Sequence, residues 1–328
     1  MGGGLALLAT IGGITISTHH QQNTSETASS VEAAASSANS SSSGRPTTAQ
    51  PSTRPALGQA TDVSLAAWHR RSTPTPSAKP VPTTKPVPST TVAPAPVAAV
   101  PVAATGGAPV GNLPGWRQVY VDNFSTAATF NQVEQTYPRL DVYPDGSGGG
   151  KYQAENVTVS GGNLNLRLQR VNGQGQGSAF TITSPSTGWA QTYGRYSVRF
   201  RADAVSGFGS AMMLMPGVWS EGETDFPEGE FSGQINAYNH QLGAHPEVNS
   251  LAVGTGARWT DWHVATIDWT PSAMRFYLDN KLVGTDTHAV SQSARSWIVQ
   301  AAEHSSGSAS AMTGSLQIDW VAMYEYAG

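Results

Sequence analysis

The segment Trp219-Ser-Glu-Gly-Glu-Thr-Asp-Phe-Pro-Glu-Gly-Glu230 places five carboxylates, Glu221, Glu223, Asp225, Glu228 and Glu230, within ten positions. Like charges this close raise one another's pKa and oppose folding, so such a segment is either a solvated loop or working chemistry. The spacing favours chemistry. In a regular strand Glu223 and Asp225 share a face, and residue 227 should follow them. That residue is Pro227, which cannot donate to a sheet ladder and is at home in a bulge. One extra residue there returns Glu228 to the face of Glu223 and Asp225, making a row of three. With a rise of about 3.3 Å per residue, the two glutamate backbones would stand roughly 13 Å apart. Their side chains can lean inward to bring the carboxyls to about 5–5.5 Å, the separation that suits glycoside cleavage with retention. One outer glutamate must then be ionised to attack, the other must hold a proton for the leaving oxygen, and Asp225 adjusts the coupled titration. Trp219 offers a flat apolar platform for a sugar ring. Glu221 and Glu230 flank the row and are expected to face solvent or the opposite side of the sheet.

Such a row needs a rigid sheet beneath it. After residue 112 the sequence supplies strand signals, among them Asn163-Leu-Asn-Leu-Arg-Leu168, Gly194-Arg-Tyr-Ser-Val-Arg-Phe200, His263-Val-Ala-Thr-Ile-Asp-Trp269, Met274-Arg-Phe-Tyr-Leu278 and the run from Leu316 to Tyr324. Asp279-Asn280 and Ser160-Gly-Gly-Asn163 read as tight hairpins, and no long amphipathic helix interrupts them. Residues 113–328 therefore predict one all-β domain, a two-sheet antiparallel sandwich or jelly roll with a face that can hold an extended ligand.

The rest of the chain is different in kind. Residues 18–112 are rich in Ser, Thr, Ala and Pro and too poor in large apolar groups to offset the entropy of ordering, which predicts a disordered linker. Within it Lys79-Pro-Val-Pro-Thr-Thr84 is followed directly by Lys85-Pro-Val-Pro-Ser-Thr90, a tandem hexamer that favours extended polyproline conformation. Residues 1–17 are uncharged, largely apolar and glycine-rich, and read as a signal-peptide core or an anchor without the usual basic leader. These features imply a secreted or surface-associated protein, attached to a cell wall or membrane surface through its N-terminal region. Residues 113–328 carry twelve Lys/Arg against nineteen Asp/Glu, which argues against a nucleic-acid partner. The chain has no cysteine, hence no disulfide framework and no thiolate metal site.

The segment Gly222-Glu-Thr-Asp-Phe-Pro-Glu228 resembles the signature of glycoside hydrolase family 16. Four flanking stretches resemble that family's segments in the same order: Ala154–Val159 with Gly162–Leu166, Tyr193–Arg199, Trp262–Thr270 with Phe276–Asp279, and Ile318–Tyr324. Five ordered segments are far more specific than one motif. The resemblance covers about Gly115 to Tyr326 and implies a concanavalin A-like jelly roll, laminarinase-like, acting on a polysaccharide substrate as a monomer, with a β-1,3-glucan favoured. By position in the motif it implies Glu223 as nucleophile, Asp225 as its assistant and Glu228 as general acid/base, with no cofactor for catalysis. A structural calcium site would involve Asp319, near which Asp122-Asn-Phe124 replaces the usual Asp-Glu-Phe. Ala211-Met-Met-Leu-Met215 stands where many members place a tryptophan, and Ser197 where they have glutamate. Trp189, His240 and Gln300 are further candidate substrate contacts, with Glu303 a weaker one, while His263, Trp269 and Trp320 are expected to be structural. The same residues leave two other readings open: a sandwich that binds glycan without cleaving it, and transfer of the glycosyl group to a second sugar.

Overall fold

The structure is a computed structural model that describes residues 107–144, 151–186, 188, 190–303 and 313–328. Residues 1–106, and with them the N-terminal apolar segment and most of the proline-rich stretch, lie outside the described residues. The strands begin with β1 (Trp116–Asp122), β2 (Leu140–Val142), β3 (Val157–Ser160), β4 (Asn163–Val171), β5 (Gln174–Gln176), β6 (Ser178–Ile182), β7 (Gly194–Ala202) and β8 (Phe208–Pro216). They continue with β9 (Thr224–Glu230), β10 (Gln234–His240), β11 (Asn249–Arg258), β12 (His263–Thr270), β13 (Ala273–Leu278), β14 (Lys281–Asp286), β15 (Arg295–Glu303) and β16 (Gly314–Tyr326). One sheet runs β14-β13-β12-β7-β16-β4-β3, with β1 added beside β16 and β5 beside β4. The other runs β11-β10-β9-β8-β15-β6-β2. All the paired strands are antiparallel. This is the expected sandwich of jelly-roll type.

Alternation decides which side chains fill the space between the sheets. Leu164, Leu166 and Leu168 of β4, Val198 and Phe200 of β7, Leu316 and Ile318 of β16 meet Met212 and Leu214 of β8 and Trp297 and Val299 of β15 in one buried cluster. Apolar burial contributes about 25 cal/mol per Å², so a core of this size is the main favourable term in folding. The two expected hairpins are present. Asp279 and Asn280 both have positive φ, 49° and 64°, as do Gly161 and Gly162, 61° and 75°, which matches turns whose twist suits paired strands. Among the described residues helix is confined to short segments, including Trp219–Glu221 just before β9.

Residues 109–112 are tied to β1: Gln118 donates through Nε2 to the Pro109 carbonyl at 2.7 Å and through its backbone N–H to Asn112 Oδ1 at 2.9 Å. The described sandwich thus reaches a few residues upstream of residue 113.

Candidate active site

The bulge expected at Pro227 is written in the register of β9 with both neighbours. Asp225 lies opposite Met213 and Glu228 opposite Ala211, so three steps along β9 match two along β8. The same mismatch occurs on the other side, where Asp225 lies opposite Tyr238 and Glu228 opposite Asn236. Asp225 and Glu228 consequently share a face despite odd spacing, while Phe226 points between the sheets, 2% exposed and edge-on to Phe276 at 5.7 Å. The Phe226–Pro227 peptide is cis. Glu223 sits one residue before β9, where its carbonyl accepts the backbone N–H of His240 at 2.9 Å.

All three carboxyl residues are buried: Glu223 is 1% exposed, Asp225 0% and Glu228 2%. His240 is buried with them, and Glu223, Asp225 and His240 each bring one ligand-type atom within 4.8 Å of the others. The sequence leaves His240 open between substrate contact and a satisfied structural role. Its Nδ1 faces the Pro246 carbonyl, and its Nε2 lies 3.4 Å from Asp225 Oδ2. A carbonyl only accepts, so Nδ1 carries the hydrogen of that contact. The ring is oriented by the loop after β10 and turned toward Asp225. Trp219, partly exposed, packs on the same ring with centroids 5.2 Å apart.

Gln300 lies on the same face as the row. In register it is opposite Ala211, which is opposite Glu228, placing it two strands or about 10 Å away. Its Oε1 accepts the Tyr152 hydroxyl at 2.6 Å. Trp189 lies outside the described residues. Glu303 is a structural residue: it ion-pairs with Arg170 and accepts the Gly175 N–H at 2.8 Å. Of the two flanking glutamates, Glu230 accepts the Gly207 N–H at 2.9 Å, and Glu221 offers its carbonyl to Arg295 at 2.9 Å. His263 bridges Asp279 and the Arg258 carbonyl, and Trp269 and Trp320 are fully buried, all as expected. Ser197 is buried against the Thr266 hydroxyl at 2.9 Å.

The calcium site is not supported by its residues. Asp319 is bound by Arg199 at 2.5 Å, and Asp122 accepts the Phe124 N–H at 2.9 Å and the Tyr120 hydroxyl at 3.3 Å. A hard cation needs six or more oxygen ligands, and a carboxylate already paired with a guanidinium is a poor one.

Two residues near the row escaped the sequence reading. Tyr152, which fixes Gln300, lies in no periodic run, so nothing marked it. Arg295 did leave a signal: it has the same strand parity as Trp297 and Val299, which places a charge at a core position.

A two-sheet antiparallel jelly roll with a buried Glu-x-Asp-x-x-Glu row across a bulge defines the class. Residues 149–322 match the model of the glycosyl hydrolases family 16, and the chain belongs to that family. It is 30% identical over 193 residues to a beta-glucanase of Rhodothermus marinus, a match covering 52% of this chain and 65% of that protein. Less than two thirds of the relative's length is thus spanned. Among solved structures it resembles the laminarinase of Rhodothermus marinus (TM-score 0.52, 20% identity, 65% of this chain and 98% of that one). It also resembles the catalytic domain of an endo-1,3-beta-glucanase from Thermotoga petrophila RKU-1 (TM-score 0.52, 16% identity, 65% and 99%). At these identities the structural likeness establishes the shared fold.

Proposed function

We propose that this protein is a retaining, endo-acting glycoside hydrolase of β-linked glucan, with 1,3-linked chains as the favoured substrate. The observation that carries the reading is the doubled register shift at Pro227, which puts Asp225 and Glu228 on one face in a chain of family 16. In this reading the Glu223 carboxylate attacks the anomeric carbon while Glu228 gives its proton to the departing glycosidic oxygen. The carbon–oxygen bond breaks and a covalent glycosyl ester forms on Glu223. Glu228, now ionised, takes a proton from water, whose oxygen attacks the same carbon and releases the Glu223 carboxylate.

Asp225, between the two, stands 3.4 Å from the His240 ring, which helps hold its carboxylate in the row. Trp219 serves as a stacking platform and Gln300 as a hydrogen-bonding contact for a neighbouring sugar. The proline-rich composition of residues 18–112 supports export and display of the domain on a stalk.

Reducing-end release across β-1,3-, mixed-linkage and β-1,4-glucans and a galactan, for wild type and Glu223→Gln, tests the reading. Turnover of the 1,3-linked glucan by wild type alone, with the β-anomer released first by NMR, is expected. Equal activity in both proteins sinks it.

A further inference from the structure

Arg295 opens β15 and is 0% exposed, yet nothing in the hydrolytic scheme uses it. Burying a guanidinium costs several kcal/mol unless its surroundings offset the loss of water. The surroundings here are specific. Nη1 donates to Thr224 Oγ1 at 2.5 Å, Nη2 donates to the Glu221 carbonyl at 2.9 Å, and the charged carbon lies 5.0 Å from the centroid of the Trp269 ring. Thr224 and Glu221 lie on either side of Glu223 in sequence, so the planar fork spans the backbone that carries the nucleophile.

The grip is itself anchored. The Thr224 hydroxyl donates onward to Asn239 Oδ1 at 2.6 Å, and Asn239 Nδ2 donates to Asp286 Oδ2 at 2.9 Å and to the Ala289 carbonyl at 2.8 Å. Asp286 is in turn held by the backbone N–H groups of His288 and Ala289 at 2.8 and 3.3 Å. Every link points the same way, from a guanidinium on β15 through β9 and β10 to a carboxylate at the end of β14. Chains of aligned bonds in a low-dielectric interior polarise and stiffen one another. Thr224, at the positive end, has no freedom to rotate.

We propose that Arg295 is a positioning residue for the reaction: it grips the chain on both sides of Glu223 and supplies the buried positive charge beneath the carboxylate row. The inference rests on the reading of Glu223 as nucleophile. The groups that face the guanidinium are Glu221, Glu223 and Asp225 from the acidic segment, Tyr196 from β7 and Trp269 from β12. Burial pushes Arg295 down to about 10, and Tyr196 and these three acidic residues pull the other way, so it stays cationic at neutral pH. A cation there favours ionised Glu223 over the protonated form, which cannot attack.

The test uses the full chain and three variants, Arg295→Met, Arg295→Lys and Thr224→Val, each checked by circular dichroism and followed by kcat, KM and the pH dependence of kcat/KM. Arg295→Met is expected to lower kcat by about 30-fold or more, leave KM within about threefold, and move the acid limb up by about 0.5–1 pH unit. Arg295→Lys, which keeps charge without the fork, and Thr224→Val, which removes one acceptor, should lower kcat about 3–10-fold and leave the limb in place. An equal loss at every pH in Arg295→Met would make the residue merely structural. Wild-type kcat in Thr224→Val overturns the grip, and this arm decides the matter if Arg295→Met does not fold. Failure of the hydrolase reading looks different: the wild type itself then turns over no glucan.

Discussion

The outward faces of the two sheets handle charge in opposite ways. On the nine-stranded sheet donor meets acceptor across neighbouring strands: Arg199 binds Asp319 at 2.5 Å, Arg201 binds Gln317 at 2.6 Å, and Gln317 reaches Asn165 at 3.4 Å. Both guanidiniums also lie over the Trp262 ring, 4.4 and 5.0 Å from its centroid. Cross-strand pairs of this kind each contribute a few tenths of a kcal/mol and do no chemistry. On the seven-stranded sheet like charges stand side by side in a buried row, and the nearby cation, Arg295, comes from behind, between the sheets. One face is arranged for the stability of the ground state. The other gathers carboxylates at one buried place, the arrangement that the proposed chemistry needs.

That contrast breaks most visibly at the row. Glu223→Gln should lower kcat by about 10³-fold or more, and Glu228→Gln by about 10²–10⁴-fold. Glu223→Gln should also raise Tm, because removing the ionised outer member of the row relieves its crowding with Asp225. A fall in Tm for Glu223→Gln would show that the row is satisfied rather than stressed. Deleting Pro227 should come next. The deletion removes the bulge together with its residue, so Glu228 follows Asp225 by two and keeps the shared face by plain alternation. Turnover should fall by no more than about 10-fold, and a loss as large as that of Glu228→Gln would show that the bulged geometry itself is required.

The paired regions should respond to pH instead. Donating a hydrogen bond to Asp279 raises the His263 imidazole above its usual value; burial opposes the Asp279 charge, but its bonds from His263 and the Val264 N–H win and hold it low. The histidine's contribution is therefore complete below about pH 6.5 and lost as pH rises through its raised pKa, while the aspartate's is present above about pH 4 and lost as pH falls through its lowered one. Tm should accordingly be highest between those limits and decline on both sides, and His263→Gln should flatten the upper decline. Arg201→Ala, at an exposed pair, should change stability by less than about 1 kcal/mol and leave kcat unaltered.

Much of this was legible in the chain. Leucines two apart in β4 and alternation in β7, β12 and β16 identify which residues face inward, because a strand offers its side chains only two directions. Pro227 identifies the bulge for a related reason: proline has no N–H to give a central strand, so the ladder must be interrupted where it sits. His240 was harder, since alternation marks a face but not what covers it, and the loop carbonyl of Pro246 that fixes the ring comes from a turn without periodicity. The sequence already weakened a calcium site by placing Asn123 in Asp122-Asn-Phe124, but it did not carry the reason Asp319 is a poor ligand: Arg199 reaches it from a neighbouring strand, 120 residues away in sequence.

The sequence by itself determined the class of fold, the approximate position of five of its strands, the face shared by the carboxylates and the family to which they belong. These are local quantities, set by side-chain period and by residue types that forbid alternatives. Only the tertiary structure decided what lies under and beside the row: His240 turned to Asp225, Tyr152 holding Gln300, and Arg295 crossing from β15 to clasp the chain around Glu223. Each joins residues from different strands, and such contacts exist only once the strand order places β8 between β9 and β15.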